Sequence, residues 1–79
     1  MWWSIQKIKK SDSEIVYAYG YESDIPTGSF AVAKDLSYIN VFEYAKNDDK
    51  ELFTELFIQP LIGVLKREDF PEKYQFAIG

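Results

Sequence analysis

The chain has 79 residues, a net charge of −4 and no histidine or cysteine, whereas two Trp, six Tyr and six Phe make it rich in aromatic side chains. The lack of histidine and cysteine removes the usual general base, the thiol nucleophile and the soft metal ligands, and no serine has the glycine context of a nucleophile elbow. The composition therefore argues against an enzyme and predicts no catalytic residue, no metal and no cofactor.

Length and charge also restrict the fold and the classes of partner. A chain of this size forms one domain over residues 1–79, and a hydrophobic content of 47% is that of a globular protein. Because a net negative charge repels phosphate backbones, we expect no nucleic-acid partner. The chain shows neither a signal peptide nor an apolar run long enough for a membrane span, which together with the absence of cysteine predicts a cytoplasmic protein with no membrane partner.

Alternating side chains predict strands in the first half of the chain. β-branched and aromatic residues recur at every second position over residues 14–22, 29–34 and 38–44, and a weaker alternation over residues 2–9 predicts a first strand. Polar links between these segments favour antiparallel neighbours, and hence a meander.

A helix is predicted over residues 48–66. Asp48 can cap its start, Glu51 completes a capping box, and apolar residues then recur at every third or fourth position. Pro60 lacks the amide that a helix interior needs, so we expect a kink there or a second short helix that begins there. Residues 70–79 resume the alternation and form either a fifth strand or an irregular tail.

The predicted fold is therefore α+β: an antiparallel meander of four strands, or five if the last segment pairs, with one C-terminal helix that is kinked near Pro60 and packs on one face. Tyr21 opposite Phe30, and Val32 opposite Ile39, would collect the bulky residues on one side of the sheet. The predicted core is Ile15, Tyr17, Tyr19, Phe30, Val32, Ile39, Val41, Phe53, Leu56, Phe57, Leu61 and Leu65.

The sheet face opposite this core is too apolar and aromatic for plain exposure, and its aromatic residues are of the type that dominates binding energy. The predicted aromatic contacts are Trp2, Tyr38, Phe42 and Tyr44. An acidic margin that could meet Arg and Lys of a partner is predicted at Glu22, Asp24 and Glu43. Alternatively, the helix or the C-terminal segment covers this face, or the two faces are inverted.

The basic run Lys7, Lys9 and Lys10 lies at the end of the first predicted strand. Lysines on an edge strand discourage pairing with another sheet, and we expect this role in preference to phosphate binding.

These features predict a non-enzymatic interaction module that binds a protein partner or its own copy as a homodimer, for example an inhibitor or an immunity-like protein. The alternative is a small-ligand-binding domain with a pocket between sheet and helix, in which Tyr17, Tyr19 and Tyr21 supply the polar contacts. A filled core beside an exposed apolar sheet would favour the first function, and a cavity of several hundred Å³ beneath the helix the second.

Overall fold

The computed structural model describes residues 1–77 and has one antiparallel five-stranded sheet with a C-terminal helix, so the predicted α+β class is confirmed. The helix, α1, spans residues 50–67. The predicted segment at the end of the chain forms a strand, although positions 78 and 79 lie outside the described residues. The strands are β1 (Trp2–Lys10), β2 (Glu14–Tyr21), β3 (Gly28–Ala33), β4 (Ile39–Glu43) and β5 (Lys73–Ala77).

The strand order is β4-β3-β2-β1-β5, so the last strand pairs with the first. Trp2 lies opposite Ala77, and Gln6 opposite Lys73, in an antiparallel ladder. The beginning of β1 is therefore an interior strand. Its far end, with Lys9 and Lys10, runs past β5 and has a neighbour in β2 alone among residues 1–77.

The register of β2 against β3 differs from the predicted one. Phe30 lies opposite Tyr17 instead of Tyr21, and Tyr19 lies opposite Gly28, whereas the predicted pair of Val32 with Ile39 is confirmed. The error is a shift by an even number of residues, which leaves each side chain on the same face of the sheet. The core face was therefore predicted correctly even though this pairing was wrong.

The core between sheet and helix contains most of the predicted residues, but Ile39, Val41 and Leu56 are only partly buried. Sequence reasoning missed two β1 residues, Trp3 and Ile5, which are 0% and 2% exposed. Both are buried because β5 flanks β1 on its second side. The buried hydrophobic cluster is Trp3, Ile5, Ile15, Tyr17, Tyr19, Phe30, Val32, Ala45, Phe53, Phe57, Leu61, Val64 and Leu65.

The N-cap of the helix is one residue later than predicted, and the helix is distorted just before Pro60. Asp49 is the N-cap, and its carboxylate accepts a hydrogen bond of 2.9 Å from the Leu52 amide. A short α-helical turn leads into a π-helical turn, Phe53–Phe57, and regular α-helix resumes at Ile58–Arg67. Pro60 thus falls in the first turn of the regular segment, where a missing amide is tolerated best.

Two glycines give opposite predictions for replacement by alanine. A Cβ at Gly28 would lie 2.4 Å from the Ala45 amide nitrogen and 2.5 Å from a ring carbon of Tyr19, whereas a Cβ at Gly63 would meet nothing within 4 Å. We expect Gly28→Ala to lower the free energy of unfolding by roughly 1–3 kcal/mol or more. Gly63→Ala should raise it by about 0.5–1 kcal/mol, because alanine favours a helix interior.

Urea unfolding of both variants measures the two effects. Equal effects of the two substitutions would contradict the close approach of β2, β3 and residue 45 around Gly28.

Candidate functional site

The sheet face turned away from the helix has small residues at its centre. Val16 of β2 lies opposite Ala31 of β3, and Ala18 lies opposite Ser29, so the two middle strands present a flat strip. We call the part of this face formed by β1 to β4 the open face. Its residues are Gln6, Ile8, Lys9, Val16, Ala18, Ser29, Ala31, Asn40, Phe42 and Glu43.

A bulge in β1 adds an apolar side chain to one border of the open face. Lys7 lies opposite Tyr17 and Lys9 lies opposite Val16, so Ile8 is the extra residue between them. Strand alternation from Lys7 places Ile8 on the open face, and the shifted register places Lys9 there as well. An exposed isoleucine and a lysine therefore stand side by side at this border.

A second bulge, in β4, does the same at the opposite border. Val41 lies opposite the core residue Phe30, and Glu43 lies opposite Ser29, which leaves Phe42 as the extra residue. Phe42 and Glu43 consequently both belong to the open face. This border presents an apolar ring beside a carboxylate.

The bulge also explains why Tyr44 was assigned to the wrong face. Unbroken alternation would have placed Tyr44 with Phe42, but the extra residue turns it towards the helix. Its ring packs edge-on against Phe53, with the ring centroids 5.6 Å apart. Tyr44 is half-buried against the core and does not share a face with Phe42.

Tyr38 lies on the open side of the sheet, at the end where β3 and β4 are joined. Its hydroxyl donates a 2.7 Å hydrogen bond to a carboxylate oxygen of Glu14 in β2. The ring therefore reaches across β3, where Ala33 is only 3% exposed. Tyr38 itself remains 48% exposed, so it both covers alanine and offers an aromatic surface.

The other end of this face is covered by the loop between β2 and β3, residues 22–27. The Ser4 hydroxyl donates to the Ser23 carbonyl at 2.7 Å, and a Cβ at Gly20 would lie 2.7 Å from the same oxygen. Neither cover expected as an alternative lies over this face, because the helix packs on the opposite face and residues 73–77 pair beside β1 as β5. The loop supplies cover at one end of the face instead.

Three of the predicted contact residues lie at this covered end. Trp2 is half-buried in β1 opposite Ala77, and Glu22 is exposed where the loop begins. Asp24 accepts a 2.7 Å hydrogen bond from the side-chain amide of Gln75 in β5. The predicted site is therefore divided: Tyr38 lies before the start of β4, Phe42 and Glu43 lie at the end of β4, and Trp2, Glu22 and Asp24 lie at the covered end.

The tyrosines of the alternative ligand site lie in or beside the core. Tyr17 donates to the Pro71 carbonyl at 2.8 Å, and Tyr19 donates to Asp48 at 2.7 Å, so both hydroxyls already have partners. Burial raises the pKa of both hydroxyls, assisted by the charges of Glu72 and Asp48 respectively. Tyr21 is only partly buried.

Aromatic rings occupy the space between Tyr19 and the helix. The Tyr19 ring lies 5.2 Å from that of Phe57 and 5.4 Å from that of Phe53, measured between centroids. A ligand bound there would have to displace rings that are fully buried. The space predicted for a small ligand between sheet and helix is therefore filled by side chains at this point.

Asp48, predicted as the helix cap, instead joins the helix start to the sheet. Tyr19 donates to its carboxylate and accepts a 3.0 Å hydrogen bond from the Ala45 amide. Burial raises the pKa of the Asp48 carboxyl, the charge of Asp49 acts in the same direction, and the bond from Tyr19 opposes them. This acid therefore has a structural partner in the core.

Comparison of the chain with protein-family models, with curated proteins and with solved structures finds no match. Within residues 1–77, no three acidic side chains come close enough together to hold a metal ion, and no helix has the length and apolar character that a membrane span requires.

Asp48 yields a prediction with an internal control. Asp48→Ala leaves the Tyr19 hydroxyl without its acceptor and should cost about 1–3 kcal/mol in the free energy of unfolding. Asp48→Asn keeps an acceptor oxygen and removes the charge. In the wild type, protonation of Asp48 favours the folded state fully below the ordinary carboxyl pKa, and this contribution is lost as the pH rises through the raised folded-state pKa.

Asp48→Asn should therefore become more stable relative to the wild type as the pH rises from about 4 to 7. Denaturant unfolding at several pH values measures the difference. A stability of Asp48→Asn that stays constant or falls relative to the wild type over this range would contradict the raised pKa.

Proposed function

We propose that this chain is a non-enzymatic interaction module that binds another protein molecule through the open face. One observation carries the proposal: Ile8 and Phe42, at opposite borders of this face, remain 60% and 57% exposed. Val16 and Ala18, which are partly exposed, lie between them on β2, so the apolar side chains are spread over one face. Such a face is typical of a binding surface, whereas isolated exposed side chains have no such meaning.

The shape of the open face suits a partner that lies flat on it. Ala18 and Ser29 in the middle strands have short, partly exposed side chains, so a partner sheet can approach closely there, whereas Ala31 is only 1% exposed beneath its neighbours. Phe42 and Ile8 then flank the contact, and an aromatic ring at its border is the kind of residue whose truncation weakens binding most.

Charged residues beside the apolar ones supply a polar rim. Lys9 and Glu43 are exposed next to Ile8 and Phe42 respectively. Charges in such positions guide orientation and association rate more than they raise affinity. An inhibitor or immunity-like protein is one form that such a module takes, and the absence of cysteine fits the reducing cytoplasm as its compartment.

Photo-crosslinking in the producing cell tests this function. A photoreactive phenylalanine analogue replaces Phe42 in one sample and Thr54, on the exposed side of the helix, in a matched control. We expect discrete protein adducts from position 42 that are absent from position 54, and mass spectrometry identifies the adduct as another protein or as a second copy. Equal adducts at both positions, or none at position 42, would contradict the proposal.

A further inference from the structure

We infer that the molecule seated on the open face is a second copy of this chain, related to the first by a two-fold axis that runs along the strands. This inference rests on the proposed function and names its partner. Two properties of the face carry it, the placement of its apolar residues and the placement of its charges, and its size sets the expected affinity.

The apolar and charged residues of the open face form two matching pairs. Ile8 with Lys9 stands on β1, and Phe42 with Glu43 stands on β4, so each border has one apolar residue and one charge, and the charges have opposite sign. The middle strands between them carry short side chains. The two borders are therefore complementary to each other.

The two pairs also lie at nearly the same level along the strands. Tyr17 lies opposite Lys7 and Phe30, and Phe30 lies opposite Val41, so these residues mark one level across the sheet. The β1 bulge follows immediately on one side of this level, and the β4 bulge follows immediately on the other. Ile8 and Phe42 thus differ by about one residue, or about 3 Å, along the strand direction, whereas Lys9 and Glu43 differ by two residues, or about 7 Å.

A two-fold axis parallel to the strands, in the plane of contact and above the gap between β2 and β3, brings the complementary borders together. It lays β1 of each copy over β4 of the other. Ile8 then packs against the partner's Phe42, and the long Lys9 side chain reaches towards the partner's Glu43, which lies about 7 Å further along the strands. Because the interface is isologous, each of these contacts is made twice.

The centre of such a dimer is formed by small residues from both copies. Val16 and Ala18 of β2, both partly exposed, would lie over β3 of the partner, where Ser29 is the accessible position because Ala31 is only 1% exposed. Two sheets with aligned strands pack face to face about 10 Å apart. The dimer is thus a β-sandwich at its interface, with one helix on each outer surface.

Charge also distinguishes a second copy from a strongly basic partner. The ion pairs within residues 1–77 are Lys7 with Glu72 and Arg67 with Glu68, so neither Lys9 nor Glu43 is part of one. Lys73 of β5, opposite Gln6, adds another positive charge on the β1 side. The open face has positive charge at one border and negative charge at the other. Such a face complements a second copy of itself better than it complements a partner surface with charges of a single sign.

The size of the open face sets the expected affinity. Four strands spaced at about 4.8 Å and about five residues along each give a footprint of roughly 20 by 17 Å. This footprint of roughly 340 Å² is less than half of the about 800 Å² of accessible surface that each partner typically buries in a specific interface. We therefore expect a weak dimer, with a dissociation constant of roughly 100 µM.

Sedimentation equilibrium of the purified protein from about 1 µM to 1 mM tests the inference, since this range brackets a dissociation constant of roughly 100 µM. We expect a reversible monomer–dimer equilibrium. Phe42→Glu places a charge against the partner's Ile8 and should weaken the dimer at least tenfold. Thr54→Glu, on the outer surface of the helix, should leave it unchanged, and the circular dichroism spectrum confirms that each variant is folded.

Charge reversal tests the symmetry of the contact. Lys9→Glu and Glu43→Lys should each weaken the dimer by roughly three- to tenfold, because each variant opposes like charges twice. The double variant, or an equimolar mixture of the two single variants, restores opposite charges at both contacts and should recover most of the affinity. Failure of both to recover it would overturn the proposed two-fold arrangement.

The remaining outcomes separate this inference from the proposed function. A wild type that stays monomeric over the whole range overturns the dimer but not the binding of a different protein, which the crosslink at position 42 detects independently. A dimer that Phe42→Glu does not weaken uses another surface and likewise overturns the inference.

Discussion

The stack of Phe57 on the sheet is the contact on which the rest of the structure depends. Its ring lies parallel to that of Trp3, with centroids 5.2 Å apart, and at the same distance from that of Tyr19. These contacts commit the one helix of residues 1–77 to a single face of the sheet. A five-stranded sheet has two faces, and within residues 1–77 no helix packs on the other one, so its apolar area must be limited or covered in another way.

The chain meets this constraint in three ways along the uncovered face. Small residues such as Ala31 limit the apolar area, Tyr38 lies over Ala33, and the loop over residues 22–27 covers the end near Ser4. None of these three features covers Ile8 or Phe42, and both side chains remain mostly exposed. Ile8 lies beside Lys9, and Phe42 lies beside Glu43. A second copy of the same face would bring each apolar residue and each charge opposite its counterpart.

Alternation and capping patterns predicted the fold because they report local geometry. The period of β2 and β3 identified the core face, and the spacing from Phe53 to Leu65 identified the helix. The partner of Tyr17 was not predictable in this way, since its register depends on how closely Gly28 approaches Tyr19 and residue 45. The cap was misplaced by one residue because Asp48 turns to Tyr19 and leaves Asp49 to cap.

The candidate site was only partly predictable because it depends on two bulges. Neither Ile8 nor Phe42 has an adjacent glycine or proline that would indicate a bulge in the strand. Uninterrupted alternation therefore placed Tyr44 on the same face as Phe42, which was wrong. Lys9 was interpreted from its basic neighbours alone, although its position opposite Val16 gives it a place on the open face. These features arise from pairing between strands, which a single strand's sequence does not encode.

Intermolecular nuclear Overhauser effects test the central claim most directly. Within one molecule, β2 and β3 lie between Ile8 on β1 and Phe42 on β4. The two residues are therefore three strand spacings, or about 14 Å, apart. A mixture of isotope-labelled and unlabelled protein therefore reports contacts between copies. The account predicts cross-peaks between the Ile8 methyl groups and the Phe42 ring. Cross-peaks from other surfaces, or none from these two residues at concentrations where the protein is dimeric, would contradict it.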